Sequence, residues 1–549
     1  MSFSKVPDGR DFDVVMPGGS MKQEAIHRFE WLTSNVTPRV ANPAPIVAAS
    51  CFLSLILPLA VTPVIPFIDL YDHIVRYWLL ANGPDLENIS KSYAVHWRLT
   101  PNLGMDALGW VILRYFEPLF AAKLIVAVLV LCQALSVTAL SRSLGARSVL
   151  LPFAAASFLS YSYVLNWGFI NFILAMSISL FGMATWLAQR EKPVAAVLSG
   201  VTFGLLVFLS HGFAFFLYGL TLAALEFGRW RAAKEALGRL AQGLSLIACQ
   251  AIVPVTLFLL AGTSQSGDST AARIAANFQS DTWPERLWLE FCYRLKTIVR
   301  VAESPSETFD IIAIAAFAAV VGGGLLSGHL RLARAAMPSI VVLALLCVVT
   351  PPSLFGVGFV ADRVPLLLAL ICCAALQPAS STYNQLPAVA ALAALVTAKS
   401  IVTAVSWSDY RQDWVTATEV LGKVPNGAIM RPVYAMTSYR GGDDGRRCQM
   451  YAPLALAYHG VHTPLFADPL KQPLSLRGDL AKAATATIQN PHWLQSRSKA
   501  AVAAEIRQVM ETPSVDYVFV CGELAQVADA YGERMIARTG TFAVLRASR

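Results

Sequence analysis

The sequence predicts a mostly α, polytopic helical membrane protein of about 11 TM helices, closed by a small C-terminal α/β periplasmic domain. Three observations predict it. Of 549 residues, 56% are hydrophobic and 14% charged, whereas a soluble chain carries about 25% charged residues. Apolar runs of about 18–22 residues recur, each long enough for a helix to cross hydrocarbon. From Trp407 onward the composition changes to charges and prolines, with no run long enough to span.

Residues 1–45 are polar and of mixed charge, with neither the short apolar region nor the small-residue cleavage site of a signal peptide. The transmembrane domain is expected over 46–406. Its spans fall near 46–66, 119–141, 149–165, 168–188, 194–210, 212–227, 240–262, 309–327, 336–350, 362–378 and 386–406. Basic residues gather in alternate loops: Arg142 and Arg147, Arg190 and Lys192, Arg229 to Arg239, then Arg331 and Arg334. The N-terminal segment is also basic. The positive-inside rule therefore puts the N-terminus in the cytoplasm and loops 67–118 and 263–308 outside. An odd number of spans puts residues 407–549 outside as well. The net charge of +8 follows from these loops, not from a compact basic patch, so nucleic acid is not an expected partner.

Residues 407–549 suffice to bury a core of their own. Asp409–Lys423 and Ala500–Glu511 read as helices; Ala428–Tyr434, Val515–Val520 and Thr541–Leu545 read as strands. Of nine cysteines, Cys448 and Cys521 can pair if this domain faces an oxidising compartment. No C-x-x-C motif points to zinc or redox chemistry. No G-x-x-x-x-G-K-[ST] loop points to an ATP-driven pump.

Candidate site residues converge on the outer side. In the stretch PFIDLYDHIVRYW, helical spacing puts Asp69, Asp72, His73 and Arg76 on one narrow face of a greasy, aromatic helix, as in an element lying in a membrane interface. Arg98, Asn102 and Asp106 follow in WRLTPNLGMD. Asn166, Trp167 and Asn171 mark one outer turn, His211 another, and Asp362-Arg363 the outer end of a span. Ionisable groups at membrane depth are costly and mark functional cavities. Plain structural roles fit several of them equally: an Asp72–Arg76 ion pair, helix caps at Asp69, Asn102 and His211, and a local Asp362–Arg363 pair. Trp97, Trp167 and Trp283 suit interface anchors. Residues 284–301 read as a second interfacial helix, with Arg286, Glu290, Arg294 and Thr297 on one face, Leu287, Phe291, Leu295 and Ile298 on another, and Arg286, Arg294 and Lys296 able to meet lipid head groups. In the tail, His459, Asp468, Lys471 and Gln472 form a polar group in a Pro-rich loop.

This pattern resembles the GT-C superfamily of membrane glycosyltransferases. A first span runs directly into an outer acidic residue on a helix, and many spans and a periplasmic domain follow. More closely, F-I-D-L-Y-D-H-I-V-R, W-R-L-T-P-N-L-G-M-D and T-P-L-F-A-D-P-L-K-Q-P-L look like a family of bacterial inner-membrane proteins. The resemblance implies a polyprenyl-phosphate sugar donor and a glycan, lipid or protein acceptor of the cell envelope. It implies Asp69 as general base, because a half-buried carboxylate gains basicity. In the closer family the place of Asp72 is often Asn, which favours Asp69. Asp72 and His73 would assist catalysis, while Arg76, Arg98, Asn102, Asn171, His211 and Arg363 would bind substrate. Some superfamily members need a divalent cation and others do not; if one is needed here, Asp69 and Asp72 would hold Mg or Mn. A transporter or flippase of a lipid-linked glycan, or a non-catalytic scaffold of a polysaccharide-export machine, is the competing expectation.

Overall fold

A computed structural model describes residues 44–261, 282–354, 357–379, 385–437, 448–465, 472–485 and 498–547. The expected N-terminal segment, the start of loop 263–308, and Asp468 and Lys471 lie outside the described residues. Val47–Arg549 form one compact unit.

Eleven helices occupy the expected spans. They are α1 (Ala44–Val61), α4 (Pro118–Ser143), α5 (Leu150–Phe158), α6 (Ile170–Gln189), α7 (Pro193–Ser210), α8 (Gly212–Ala233), α9 (Leu237–Ala261), α11 (Glu307–Leu326), α12 (Met337–Val349), α13 (Val360–Ala375) and α14 (Leu386–Ser408). Between them lie α2 (Leu70–Asn82) and α3 (Leu103–Leu113) in the first long loop, and α10 (Trp283–Val299) in the second. Among the described residues, six helices are long and apolar enough to cross a membrane: α4, α6, α7, α9, α11 and α14. The others are shorter or carry charge. The span expected at 149–165 is broken, because α5 ends at Phe158 and only the four-residue turn Tyr163–Asn166 is helical beyond it. Entry residues explain several starts. The Glu117 carboxylate accepts the Phe120 amide at 3.0 Å ahead of Pro118, and the Ser306 hydroxyl accepts the Phe309 amide at 3.3 Å.

α2, expected to lie in a membrane interface, has its apolar face covered by protein. Leu70, Tyr71, Ile74, Val75, Arg76, Tyr77, Leu79, Leu80 and Ala81 are all buried, because α3, α4 and a tail helix, α16 (Tyr451–His459), pack around it. On its Tyr77 side the fit is close. A Cβ on Gly109 of α3 would stand 2.2 Å from Tyr77 Cδ2. The second loop behaves differently. Trp283, Leu287, Trp288, Phe291, Leu295 and Ile298 of α10 are exposed, while Thr297 is buried against the bundle.

The tail carries a four-stranded sheet. β2 (Met430–Tyr434) pairs parallel with β4 (Tyr517–Cys521), β4 antiparallel with β6 (Phe542–Arg546), and β6 antiparallel with β5 (Met535–Thr539). The expected strands and helices fall here, α15 (Tyr410–Leu421) and α17 (Lys499–Met510) included. α16 and β5 have no counterpart in the sequence reading. Cys448 and Cys521 form a disulfide. The tail also reaches back to the first loop. β1 (Tyr93–Val95) pairs antiparallel with β3 (Leu474–Leu476). The Tyr93 hydroxyl donates to the Thr463 carbonyl at 2.7 Å, and Ser92 Oγ lies 2.7 Å from His462 Nδ1.

Arg76 decides how α2 sits on α3. Its Nε and Nη2 lie 2.9 and 2.8 Å from Asp106 Oδ1, and both side chains are fully buried. Neutralising one member leaves the other charge uncompensated, so Asp106→Asn should cost about 3–5 kcal/mol. The measurement is thermal unfolding in lipid nanodiscs. Replacing both partners by apolar residues, Arg76→Met with Asp106→Leu, should recover most of the loss. An Asp106→Asn protein that melts like wild type would show the pair to be unimportant for folding.

Candidate active site

Asp69 occupies the N-cap position of α2, yet its side chain makes no capping bond. The carboxylate therefore does not serve the helix. Its backbone is gripped instead: the Asp69 amide donates to the Trp167 carbonyl at 2.9 Å, and the Ile68 amide to that of Asn166 at 3.4 Å. Gly168 makes this approach possible. Its φ is +97°, and a Cβ there would lie 2.7 Å from the Leu70 nitrogen. The Trp167 indole donates to the Asp69 carboxylate.

Asp69 and Asp72 are half-buried. Burial first, and then the charge of Asp72, hold the Asp69 carboxyl well above the usual carboxylate range; Arg363 and the Trp167 hydrogen bond pull it part of the way back. Burial pushes Asp72 up to about 7, against the lowering pull of Arg76. Burial and the Arg76 charge keep His73 well below its usual range, so its imidazole is neutral at pH 7. It stacks on Tyr77 at 6.2 Å between ring centres.

Arg363 enters from α13. Its guanidinium carbon lies 4.3 and 5.4 Å from the ring centres of Phe169 and Phe172, beside the same hairpin that carries Trp167. Nη1 lies 3.0 Å from His211 Nε2 and donates to it. A neutral imidazole that accepts at Nε2 carries its proton on Nδ1, so the Ala214 amide, 3.4 Å from Nδ1, cannot also donate there. Arg363 Nε is buried and has no hydrogen-bond partner among the described residues. The neighbouring Asp362 turns the other way, accepts from the Tyr293 hydroxyl and stands 3.8 Å from Arg300.

The remaining candidates divide. Asn171 is buried and accepts the Tyr77 hydroxyl at 3.2 Å, tying α6 to α2. Asn166 donates to the Glu303 carbonyl at 3.1 Å. Asn102 takes the left-handed conformation (φ 81°) ahead of α3 without a capping bond. Its neighbour Pro101 lies against Gly212, so the loop abuts the His211 turn. Arg98 is exposed. Arg76, given entirely to Asp106 in its ion pairing, is not joined to Asp72 by one. Trp97 and Trp283 are exposed, whereas Trp167 is buried. Arg286 and Lys296 are exposed on α10, and Arg294 instead donates to the Thr350 carbonyl at the end of α12. In the tail, His459 ends α16 with its ring beside Gly422.

One participant escaped the sequence reading. Tyr434, the last residue of β2, lies near enough to feel both carboxylates: burial first, then the charges of Asp72 and Asp69, push its phenol up. The clue was only that a predicted strand ended in an aromatic hydroxyl. Among the described residues no three His, Cys, Asp or Glu side chains gather as metal ligands. Asp69 and Asp72 offer two carboxylates, of which Asp69 already accepts an indole N–H and faces a guanidinium. That is a poor set for Mg or Mn, which are held by about six oxygens.

No family model matches the chain, and no curated protein matches it. Among solved structures the chain is similar to the crystal structure of ArnT from Cupriavidus metallidurans bound to undecaprenyl phosphate. The two are 15% identical over 92% of this chain and 97% of that one, with a TM-score of 0.46. ArnT from the same organism in the apo state is 14% identical over 96% of this chain and 99% of that chain, with a TM-score of 0.45. The cryo-EM structure of the arabinofuranosyltransferase AftD from Mycobacteria is 15% identical over 92% of this chain but 40% of that chain, with a TM-score of 0.40.

Proposed function

We propose that the protein is a GT-C-type glycosyltransferase that moves a sugar from a polyprenyl-phosphate donor to an envelope glycan, lipid or protein acceptor at the periplasmic face. The observation that carries this reading is the nearness of Asp69 to Arg363, close enough for each charge to act on the other. A carboxylate of raised basicity, doing no capping work, stands near a buried guanidinium with an unpartnered Nε. Base and anion-holder are the two parts that transfer from a phosphate-linked sugar requires.

In this mechanism Asp69 takes the proton of the acceptor hydroxyl or amine. The acceptor atom forms its bond to the anomeric carbon while the bond from that carbon to the phosphate oxygen breaks. The bonding pair leaves with the polyprenyl phosphate, whose added charge Arg363 and His211 stabilise. Attack opposite the leaving group inverts the anomeric centre. Asp72 raises the basicity of Asp69 by its charge, and neutral His73 lines the same face. Arg98 and Asn102 serve as substrate contacts at the edge of the cluster. Arg76 and Asn171 act through α2, by holding it in place. None of these steps uses a metal.

The reading places the chain in the bacterial inner membrane, N-terminus in the cytoplasm and tail in the periplasm. The Cys448–Cys521 disulfide supports that side for the tail, since disulfides persist in oxidising compartments. On intact spheroplasts, alkylation after reduction should modify Cys448 and Cys521 with a membrane-impermeant reagent, and neither should react before reduction. Labelling only after lysis would put the tail on the cytoplasmic side and end the periplasmic assignment.

Asp69→Asn should lower kcat for sugar transfer by about 10²–10⁴-fold with expression and melting unchanged, the usual worth of a general base. Full activity in that variant would return the chain to the transport or scaffold reading. The pH profile gives a separate check. Transfer needs ionised Asp69, so kcat/KM should fall as pH drops through a limb set above the usual carboxylate range. The charge of Asp72 raises that limb, so Asp72→Asn should move it to lower pH. A limb that stays in place or rises would remove Asp69 as the titrating base.

A further inference from the structure

Lys399 lies inside α14 and is 2% exposed. An ammonium within an apolar bundle is costly unless it is held. Here Nζ donates to the Phe158 carbonyl at 3.1 Å and to the Tyr161 carbonyl, and it stands 5.1 Å from the centre of the Phe158 ring. These carbonyls lie at the point where α5 stops after nine residues. The last carbonyls of any helix lack intrahelical donors. The ammonium supplies donors there, and the chain can leave the helix and cross to α6.

Asp310, in the first turn of α11, fixes the same crossing from the other side. Both of its oxygens accept the Ser304 amide at 2.9 Å. The turn so formed presents the Glu303 carbonyl to Asn166 Nδ2 at 3.1 Å. Lys399 and Asp310 also attract one another. Between these two anchors runs the segment 159–169. Its far end holds the carbonyls that take the Ile68 and Asp69 amides, and the indole that donates to the Asp69 carboxylate.

We infer that Lys399 and Asp310 are a buried positioning pair for Asp69, acting through the Tyr161–Phe169 crossing and Trp167. The pair touches no reacting atom. The inference takes its importance from the reading of Asp69 as the base, but its test needs no substrate.

The experiment uses the full chain in lipid nanodiscs as wild type, Lys399→Met, Lys399→Arg and Asp310→Asn. Hydrogen exchange reads the peptides covering 66–72 and 160–170, with 517–546 as the internal control. Infrared titration reads the carboxyl band of Asp69, assigned by its loss in Asp69→Asn. In Lys399→Met the Ile68 and Asp69 amides should exchange about tenfold or more faster, as local opening becomes easier. The Asp69 midpoint should move to higher pH, because the Trp167 hydrogen bond that holds it down is loosened. Asp310→Asn should shift both readings in the same direction, and Lys399→Arg, which keeps the donors, should restore both. Wild-type exchange and midpoint in Lys399→Met overturn the inference. So does loosening of 517–546 to the same degree, which would mark a general loss of stability. Sugar transfer in the same preparations tests the functional reading by itself: an inactive wild type would sink that reading and leave the exchange and infrared results valid.

Discussion

The approach of Gly168 to the start of α2 is the constraint on which the site depends. Only a residue without a Cβ lets the backbone at 166–168 lie against the backbone at 68–70, and the positive φ there suits glycine as well. That approach gives two amide-to-carbonyl bonds, and these tie the backbone at Asp69 to the 166–168 turn. It also carries Trp167 to the carboxylate, and Phe169 and Phe172 under Arg363. Four distant segments, at 69, 167–172, 211 and 363, are thereby brought to one place. The bundle supplies the frame, and a glycine sets the tolerance.

The electrostatics follow from that frame. Two carboxylates and two imidazoles stand half-buried around a buried guanidinium. A charge cluster elsewhere is of another kind. Glu226 is fully buried, accepts from the Trp186 indole at 3.0 Å and from Arg190 at 2.8 Å, and lies among Arg229 and Glu235. There the charges neutralise one another by direct pairing and leave little for a ligand. Around Asp69 the partners among the described residues are fewer: an indole N–H and a cation at a distance act on Asp69, and Arg363 Nε has no hydrogen-bond partner among them. Incomplete pairing is costly to the fold, and under the proposed function it is the state a donor phosphate would relieve.

Much of this was legible in the sequence, because hydrocarbon imposes simple demands. Apolar runs predicted the eleven helices of the expected spans, periodicity predicted α2 and α10, and the loop charges suggested a side for each; α3 was not foreseen. The candidates Asp69, His211 and Arg363 stood out because polar residues at membrane depth are rare. What stayed hidden depends on tertiary neighbours. Periodicity read α2 as an element of a membrane interface, and nothing in PFIDLYDHIVRYW reveals that α16 will cover it. Arg76 was paired with Asp72 by spacing, whereas its partner Asp106 is thirty positions away. The role of Lys399 was invisible for the same reason: a lone lysine in α14 says nothing about two carbonyls some 240 positions earlier.

The ladder between β1 and β3 has a meaning for biogenesis. It joins Val95 to Leu474, so the first loop stays unfinished until almost the whole chain has been made. At about 5–20 residues per second, synthesis of the intervening stretch takes about 20–75 s. Through that interval the bundle can insert helix by helix, since each span satisfies its own backbone. The apolar surface of α2 has no tail helix over it meanwhile. The loop that carries Asp69 is therefore among the first parts to leave the ribosome and among the last to reach its final packing. A chain cut short before the tail could be well inserted in the bilayer and still lack a site.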